Sequence, residues 1–240
     1  MRSLTPGRWA AAGAAVLVLA GVVLLIALTG RAGPDGPPPL TASAGVAEVL
    51  GLTPTQTVTT FRGEPVTGAE VLRAAAELRA EVISRYGTRL GPGFWDRPRD
   101  GVTPRRQLRE KAVGAAVLDK ARRVWAREAG LIGDAGEQAF QRELREENAR
   151  RAAAVAAGRP LPGVPEYDEF TYARVRAAEL DSALGKLFAA TLDLSEKRLR
   201  ARYEQVATQG APPYEQARAG VRQALIIEGY QKELRARAAA

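Results

Sequence analysis

From Ala10 to Thr29 the chain reads AAAGAAVLVLAGVVLLIALT, 20 residues without a charge. At about 1.5 Å of rise per helical residue such a run matches a hydrocarbon core of about 30 Å. Residues 9–29 are therefore expected to form a transmembrane signal anchor, and the water-soluble fold has to be built from the residues after Thr29. Arg2 and Arg8 precede the run, whereas Arg31 and Asp35 after it cancel. The positive-inside bias then places residues 1–8 in the cytoplasm and the rest outside, as a single-pass protein of the cell membrane with an extracytoplasmic C-terminal domain. A cleaved signal peptide is the competing reading, but its apolar core usually spans only about 7–15 residues. No small-x-small cleavage site stands out between Ala27 and Gly33.

The 240 residues include no histidine and no cysteine. That excludes Ser-His-Asp and Cys-His nucleophiles, thiolate chemistry, a lipid-modified cysteine, and zinc sites built on imidazole or sulfur. Net charge is +8, yet no segment holds more than the +4 of residues 101–157. Basic and acidic residues alternate at helical spacing, the pattern of a solvated helix face, so no nucleic acid is expected as a partner.

Residues 30–55, rich in Pro, Gly and small residues through RAGPDGPPPLTASAG, are expected to be a linker. Residues 56–240 are expected to form one mainly helical domain with at most a short strand at Thr57 to Phe61, followed by a turn at Arg62 to Pro65. Thr67 and Glu70 have capping-box spacing and start a helix from Gly68 to Tyr86. Its stripe is Val71, Leu72, Ala75, Leu78, Val82, Ile83 and Tyr86. Thr103 and Pro104 start a second helix with Val113, Val117, Ala121 and Val124 inside. Asp134 and Glu137 suggest a second capping box for a helix reaching Ala157. Further helices are expected from Tyr167 to Ala190, from Ser195 through Tyr203, and after Pro212 and Pro213.

Carboxylates are the main acid-base material left. Glu166, Asp168 and Glu169 could form a metal or glycosidase cluster, but acids in a first helical turn more simply complement the helix dipole. Glu146-Glu147-Asn148-Ala149-Arg150-Arg151 reads either as a solvated face with i,i+4 ion pairs or as a brace between its helix and the next loop. Phe94 and Trp95 stand out in a Gly/Pro loop, where an exposed pair could grip a client, whereas a buried Trp95 would plug the gap between the first two helices.

FRGEPVTGAEV resembles the opening of the SurA-type N-terminal domain of SurA/PrsA-like extracytoplasmic foldases, usually V-N-G-E-x-I-T-x-x-E. Gly63, Glu64, Val66, Thr67 and Glu70 fit, and Arg62 replaces the usual Asn. The resemblance continues through Phe94-Trp95, Leu108 to Leu131, ENARR and the start of the helix near Tyr167. LSEKRLRARYEQ and PYEQARAGVRQALIIEGYQKEL look like the segments that flank a parvulin isomerase domain, yet only Val206 to Pro212 separates them. The resemblance therefore implies the chaperone part alone: a membrane-anchored holdase for unfolded exported proteins, with no cofactor, no metal and no isomerase catalysis. It implies client contacts beside the cleft between the early helices and a returning C-terminal helix, with Phe94, Trp95, Phe170 and Tyr172 as candidates. Phe170 and Tyr172 lie two apart on a helix, so one of them is expected to be exposed. A structural or adaptor subunit of an envelope or secretion complex, a carboxylate-based hydrolase, and a peptidyl-prolyl cis-trans isomerase in family label, disfavoured because no parvulin domain is present, are the alternatives.

Overall fold

The computed structural model describes residues 40–87 and 90–240. The expected cytoplasmic segment and the anchor at 9–29 lie outside the described residues, and no helix within them is long and apolar enough to cross a membrane. The described chain is mainly helical: α1 (Leu40–Leu50), β1 (Thr57–Phe61), β2 (Glu64–Thr67), α2 (Gly68–Tyr86), α3 (Pro104–Glu128), α4 (Glu137–Ala156), α5 (Glu169–Ala189), α6 (Glu196–Val206) and α7 (Tyr214–Ala239). Residues divide into two compact bodies, one of 37–187 with 231–240 and one containing 188–230.

Three local expectations need correction. Helix α1 occupies part of the expected linker and inserts Val46 and Leu50 into the core. The strand has its partner two residues downstream: Arg62 and Gly63, both at positive φ, make a two-residue hairpin turn, and Thr60 pairs with Pro65 and Phe61 with Glu64. Pro65, read as a turn residue, sits within β2 of a two-stranded ribbon, whose strands are both edges and can carry a proline that donates no ladder bond. The third correction is at α4. Asp134 accepts from Gly136 N–H at 2.8 Å, and Gly136 is the N-cap, so Glu137 is the first helical residue and its side chain is free to reach elsewhere.

Other signals hold. Thr67 and Glu70 form a reciprocal capping box, with Thr67 N–H donating to Glu70 Oε2 at 2.8 Å. Thr103 caps α3, accepting from Arg106 N–H at 3.2 Å. Gly158 at φ 62° ends α4, and Arg159 N–H closes on Ala154 O at 2.9 Å.

In the first body α2 and α3 form the close-packed pair. The inner face of α3 is Leu108, Ala112, Ala116, Lys120, Ala121 and Val124; of the expected stripe Ala121 and Val124 are buried, whereas Val113 and Val117 are only half-buried. Small side chains at Ala75, Ala112 and Ala116 let the two helices approach closely; larger valines at those points would hold them apart. Phe61 and Val66 of the ribbon, with Leu52, are buried in the same body. Leu234, at the end of α7 that belongs to this body, is fully buried, and Arg237 stacks 4.4 Å over Trp125 and pairs with Glu128 at 3.2 Å.

The second body centres on α6 and the first part of α7. Leu199, Tyr214 and Val221 form its core, with Tyr203, Ala217 and Leu225 packed against them. Tyr203 and Tyr214 meet edge to face at 5.5 Å, and Tyr203 O–H donates to Pro212 O at 2.6 Å, so the short 207–213 loop is held closed.

Candidate functional site: the α4–α5 hairpin

Helices α4 and α5 form a hairpin joined by a loop rich in Gly and Pro, a segment unable to fold regularly without support. Arg151 supplies that support. Its guanidinium is buried, lies 4.0 Å over the Tyr167 ring, and donates to Pro162 O at 2.7 Å and Val164 O at 2.9 Å. Asn148 makes a two-way brace, donating to Tyr167 O at 2.8 Å and accepting from Tyr167 N–H at 2.9 Å. Of the two readings of the Glu146–Arg151 run, the brace holds for Asn148 and Arg151, while Glu147 pairs with both Arg150 and Arg151.

Between the two helices lies a groove of about 460 Å³. Pro162, Tyr167, Tyr172 and Val175 supply its apolar part, and glutamates alternate with Arg150, Arg151 and Arg176 along the rest. Val155 and Val164, about half exposed, stand on α4 and the hairpin loop. A hollow of about 550 Å³ at Arg85, Tyr86, Arg99, Asp100, Val102, Gln107 and Glu110 is larger and, like the groove, is lined mostly by charged and polar groups.

Arginines of α2 and α3 pair with the hairpin, which also buries Phe140 of α4 and Tyr172, Leu180 and Leu184 of α5. Arg73 of α2, 8% exposed, reaches both Glu137 and Glu169 at 2.6 Å, so one guanidinium ties down the first residues of α4 and α5. Arg123 of α3 pairs with Glu143 at 2.9 Å, and Arg122 with Asp181 at 2.6 Å. Phe140 lies within this ring of charge, with Arg73 stacked 4.1 Å from its centroid and Tyr172 at 5.4 Å. Burial is the largest influence on Glu137 and pushes its carboxyl up, with Arg73 drawing it back only in part. Glu143 goes the other way: burial again raises it, but Arg123 and Arg176 together hold it below the usual glutamate range. Burial also pushes the Tyr172 hydroxyl up to about 12, so it stays neutral throughout the physiological range.

No family model, curated protein or solved structure matches the chain.

The four expected client residues divide between places. Phe94 and Trp95 form a single 3-10 turn, meet edge to face at 5.1 Å and are half-buried. Their turn is fastened by Asp96, whose carboxylate receives Arg105 at 2.8 and 2.9 Å, while the same arginine also donates to Val49 O of α1. Phe170 is half-buried, but Tyr172 is 6% exposed and belongs to the cluster with Phe140 and Tyr167. Tyr172 is therefore a core residue of this arrangement, and of the two α5 aromatics Phe170 is the accessible one. The acid cluster does cap and tie helices: Asp168 accepts from Thr171 N–H at 2.6 Å and Glu169 holds Arg73. Among the described residues no group of acidic side chains could hold a metal ion.

Sequence reasoning missed Arg73, Arg123 and Glu143. The signal for Arg73 was its place beside Val71, Leu72 and Ala75 on the inner face of α2, where a charge is buried only if it is paired.

Proposed function

We propose that this chain is a holdase that binds unfolded segments of exported polypeptides outside a membrane, tethered through its N-terminal apolar run and without isomerase catalysis. The observation that carries the reading is the open groove on the α4–α5 hairpin, where tyrosine, proline and valine side chains are flanked by alternating charges. Such a surface suits a client that must be held weakly and released without ATP: apolar contacts supply affinity, and a charged rim adapts to many sequences without demanding one. The seven-residue loop 207–213, pinned by Tyr203, supports the second half of the proposal, since a parvulin-type module of about 90 residues has no place there. The resemblance of the sequence FRGEPVTGAEV to the opening of SurA-type N-terminal domains points the same way.

The test is suppression of aggregation of a heat-denatured enzyme by the full chain, kept in detergent or a lipid nanodisc as its N-terminal segment requires. Substoichiometric to equimolar protection across several unrelated clients is expected. Tight one-to-one capture of a single envelope protein, with no protection of unrelated clients, would identify an adaptor instead.

A further inference from the structure

Resting on the membrane tether of the holdase reading, we propose that the loop from Leu90 to Val102 is a lipid-docking face. It seats Leu90, Phe94 and Trp95 in the interface of an anionic phospholipid bilayer and sets the surrounding arginines against the headgroups.

The first observation is what the loop leaves in water. Leu90 is 49% exposed, Pro92 and Pro98 are exposed, and Phe94 and Trp95 are only half-buried. Aliphatic and aromatic side chains gathered at one end of a domain mark a surface that meets something apolar, and an indole suits the boundary between headgroups and acyl chains. Charge selects the occupant. Residues 90–111 hold six basic and three acidic side chains. Two of the acids are already engaged, Asp96 by Arg105 and Glu110 by Arg106. Arg97, Arg99 and Arg109, with Arg85 at the end of α2, are exposed and have no acidic partner among the described residues. An apolar tip within a collar of such arginines is complementary to an anionic bilayer, whose interface takes the tip while its phosphates meet the guanidinium groups.

The second observation is that the loop is held in one shape. Arg99 and Val102 exchange backbone hydrogen bonds of 2.9 and 3.1 Å around Asp100 and Gly101, both at positive φ, and Arg99 also donates to Arg85 O at 3.2 Å. Docking therefore has little ordering to do.

The third is where the loop stands along the chain. The apolar run ends at Thr29 and α1 begins at Leu40, eleven residues later, a span of at most about 40 Å. The last turn of α1 is fastened to the loop, because Arg105 donates both to Val49 O and to Asp96. One weak lipid contact is marginal by itself, but so short a tether raises its effective concentration to the order of millimolar.

The chain has no cysteine, so one can be introduced without background. Gly91→Cys places it on the loop, where an added Cβ meets nothing within 4 Å; Gly133→Cys, equally open, lies past the other end of α3, about 37 Å along that helix. Each carries a fluorophore in the full chain, reconstituted into phosphatidylcholine vesicles with a nitroxide quencher on some headgroups, with or without an equal part of phosphatidylglycerol. With phosphatidylglycerol, quenching at Gly91 is expected to exceed that at Gly133 several-fold, and without it to fall towards the Gly133 level. Arg85→Gln combined with Arg97→Gln breaks no ion pair among the described residues. The two changes are expected to lower the ratio of docked to undocked loop about 25-fold, roughly fivefold for each charge lost. Equal quenching at the two positions, or quenching at Gly91 that is indifferent to phosphatidylglycerol, overturns the proposal. Alkaline extraction of the same vesicles reads the tether separately. A chain retained by the membrane with Gly91 unquenched keeps its anchor and refutes the docking face, whereas a chain washed out although Gly91 was quenched beforehand keeps the docking face and refutes the anchor.

Discussion

The Lys120 ammonium lies 2.8 Å from a Glu70 carboxylate oxygen, with the lysine side chain fully enclosed and the glutamate nearly so. The other oxygen of Glu70 accepts from Thr67 N–H and Thr67 O–H, so one carboxylate caps α2 and anchors the centre of α3. Removing the lysine strands a buried anion. Lys120→Met is expected to cost about 3–5 kcal/mol by chemical denaturation, and adding Glu70→Gln to it should recover part of that loss, because the uncompensated charge is gone. Equal losses for single and double variants would show that the two groups do not act as a pair.

Gly68 is a second point where ribbon and helix constrain one another. Its N–H donates to Gln56 O at 2.7 Å, and a Cβ at this position would stand 1.9 Å from the backbone oxygen of Thr53. Alanine is the better helix former by about 1 kcal/mol, but here it forces a backbone oxygen to move. Gly68→Ala is expected to destabilise by about 1–3 kcal/mol or more, as overpacking does. A melting temperature at or above that of the parent would refute the close approach.

How far the sequence revealed this arrangement depended on whether a feature is local. Capping at Thr67 and Thr103, the glycine stop at Gly158 and the helical periods arise from interactions a few residues apart, and all were legible. The strand's partner was not, because Pro65 reads as a breaker unless the edge position of β2 is already known. In the first half of α3 the inner face falls on Ala112 and Ala116 rather than on Val113 and Val117, because periodicity favours valine over alanine, whereas the distance between helices decides which of them fits inside. Arg73, Arg123 and Glu143 were invisible for a deeper reason. A buried charge is tolerable only with its partner, and those partners stand 64, 20 and 96 residues away, at Glu137, Glu143 and Glu169. Of the expected site, Tyr172 proved to be covered, while Tyr167, Val155 and Val164 of the hairpin were not singled out.

Glu143 links these ion pairs to pH. Its carboxyl is held below the ordinary value of 4.5 because hydrogen bonds and charge from Arg123 and Arg176 outweigh the opposing effect of burial. A depressed carboxylate contributes stability that is present above the unfolded pKa and is lost as pH falls through the folded one. The parent protein is therefore expected to lose stability below about pH 4.5, and Glu143→Gln should flatten that part of the curve while lowering the plateau above it. Parallel curves for parent and variant, from denaturant titrations between about pH 3 and 7, would show that Glu143 contributes no such linkage.

The aromatic residues provide the test that separates binding from folding. Tyr172 is enclosed against Phe140 and Tyr167, so Tyr172→Ala removes a packed ring and is expected to cost about 3–5 kcal/mol, lowering stability and client protection together. Phe170, Phe94 and Trp95 keep part of their surface open to solvent. Truncating any one of them forfeits only partial burial, about 1–2 kcal/mol on the transfer scale, so a residue that grips a client should lose protection well beyond its loss of stability. Phe170→Ala is expected to show that separation most clearly, since Phe170 stands two residues before Tyr172, near the start of α5 and beside Glu169, a partner of Arg73. Trp95→Ala should show less, because the Asp96–Arg105 pair fastens its turn to α3 and makes the indole in part a wedge. The measurement is aggregation suppression plotted against melting temperature for all four variants. Four points on one line would mean that every one of these aromatics acts only through the fold, and that the client surface is elsewhere.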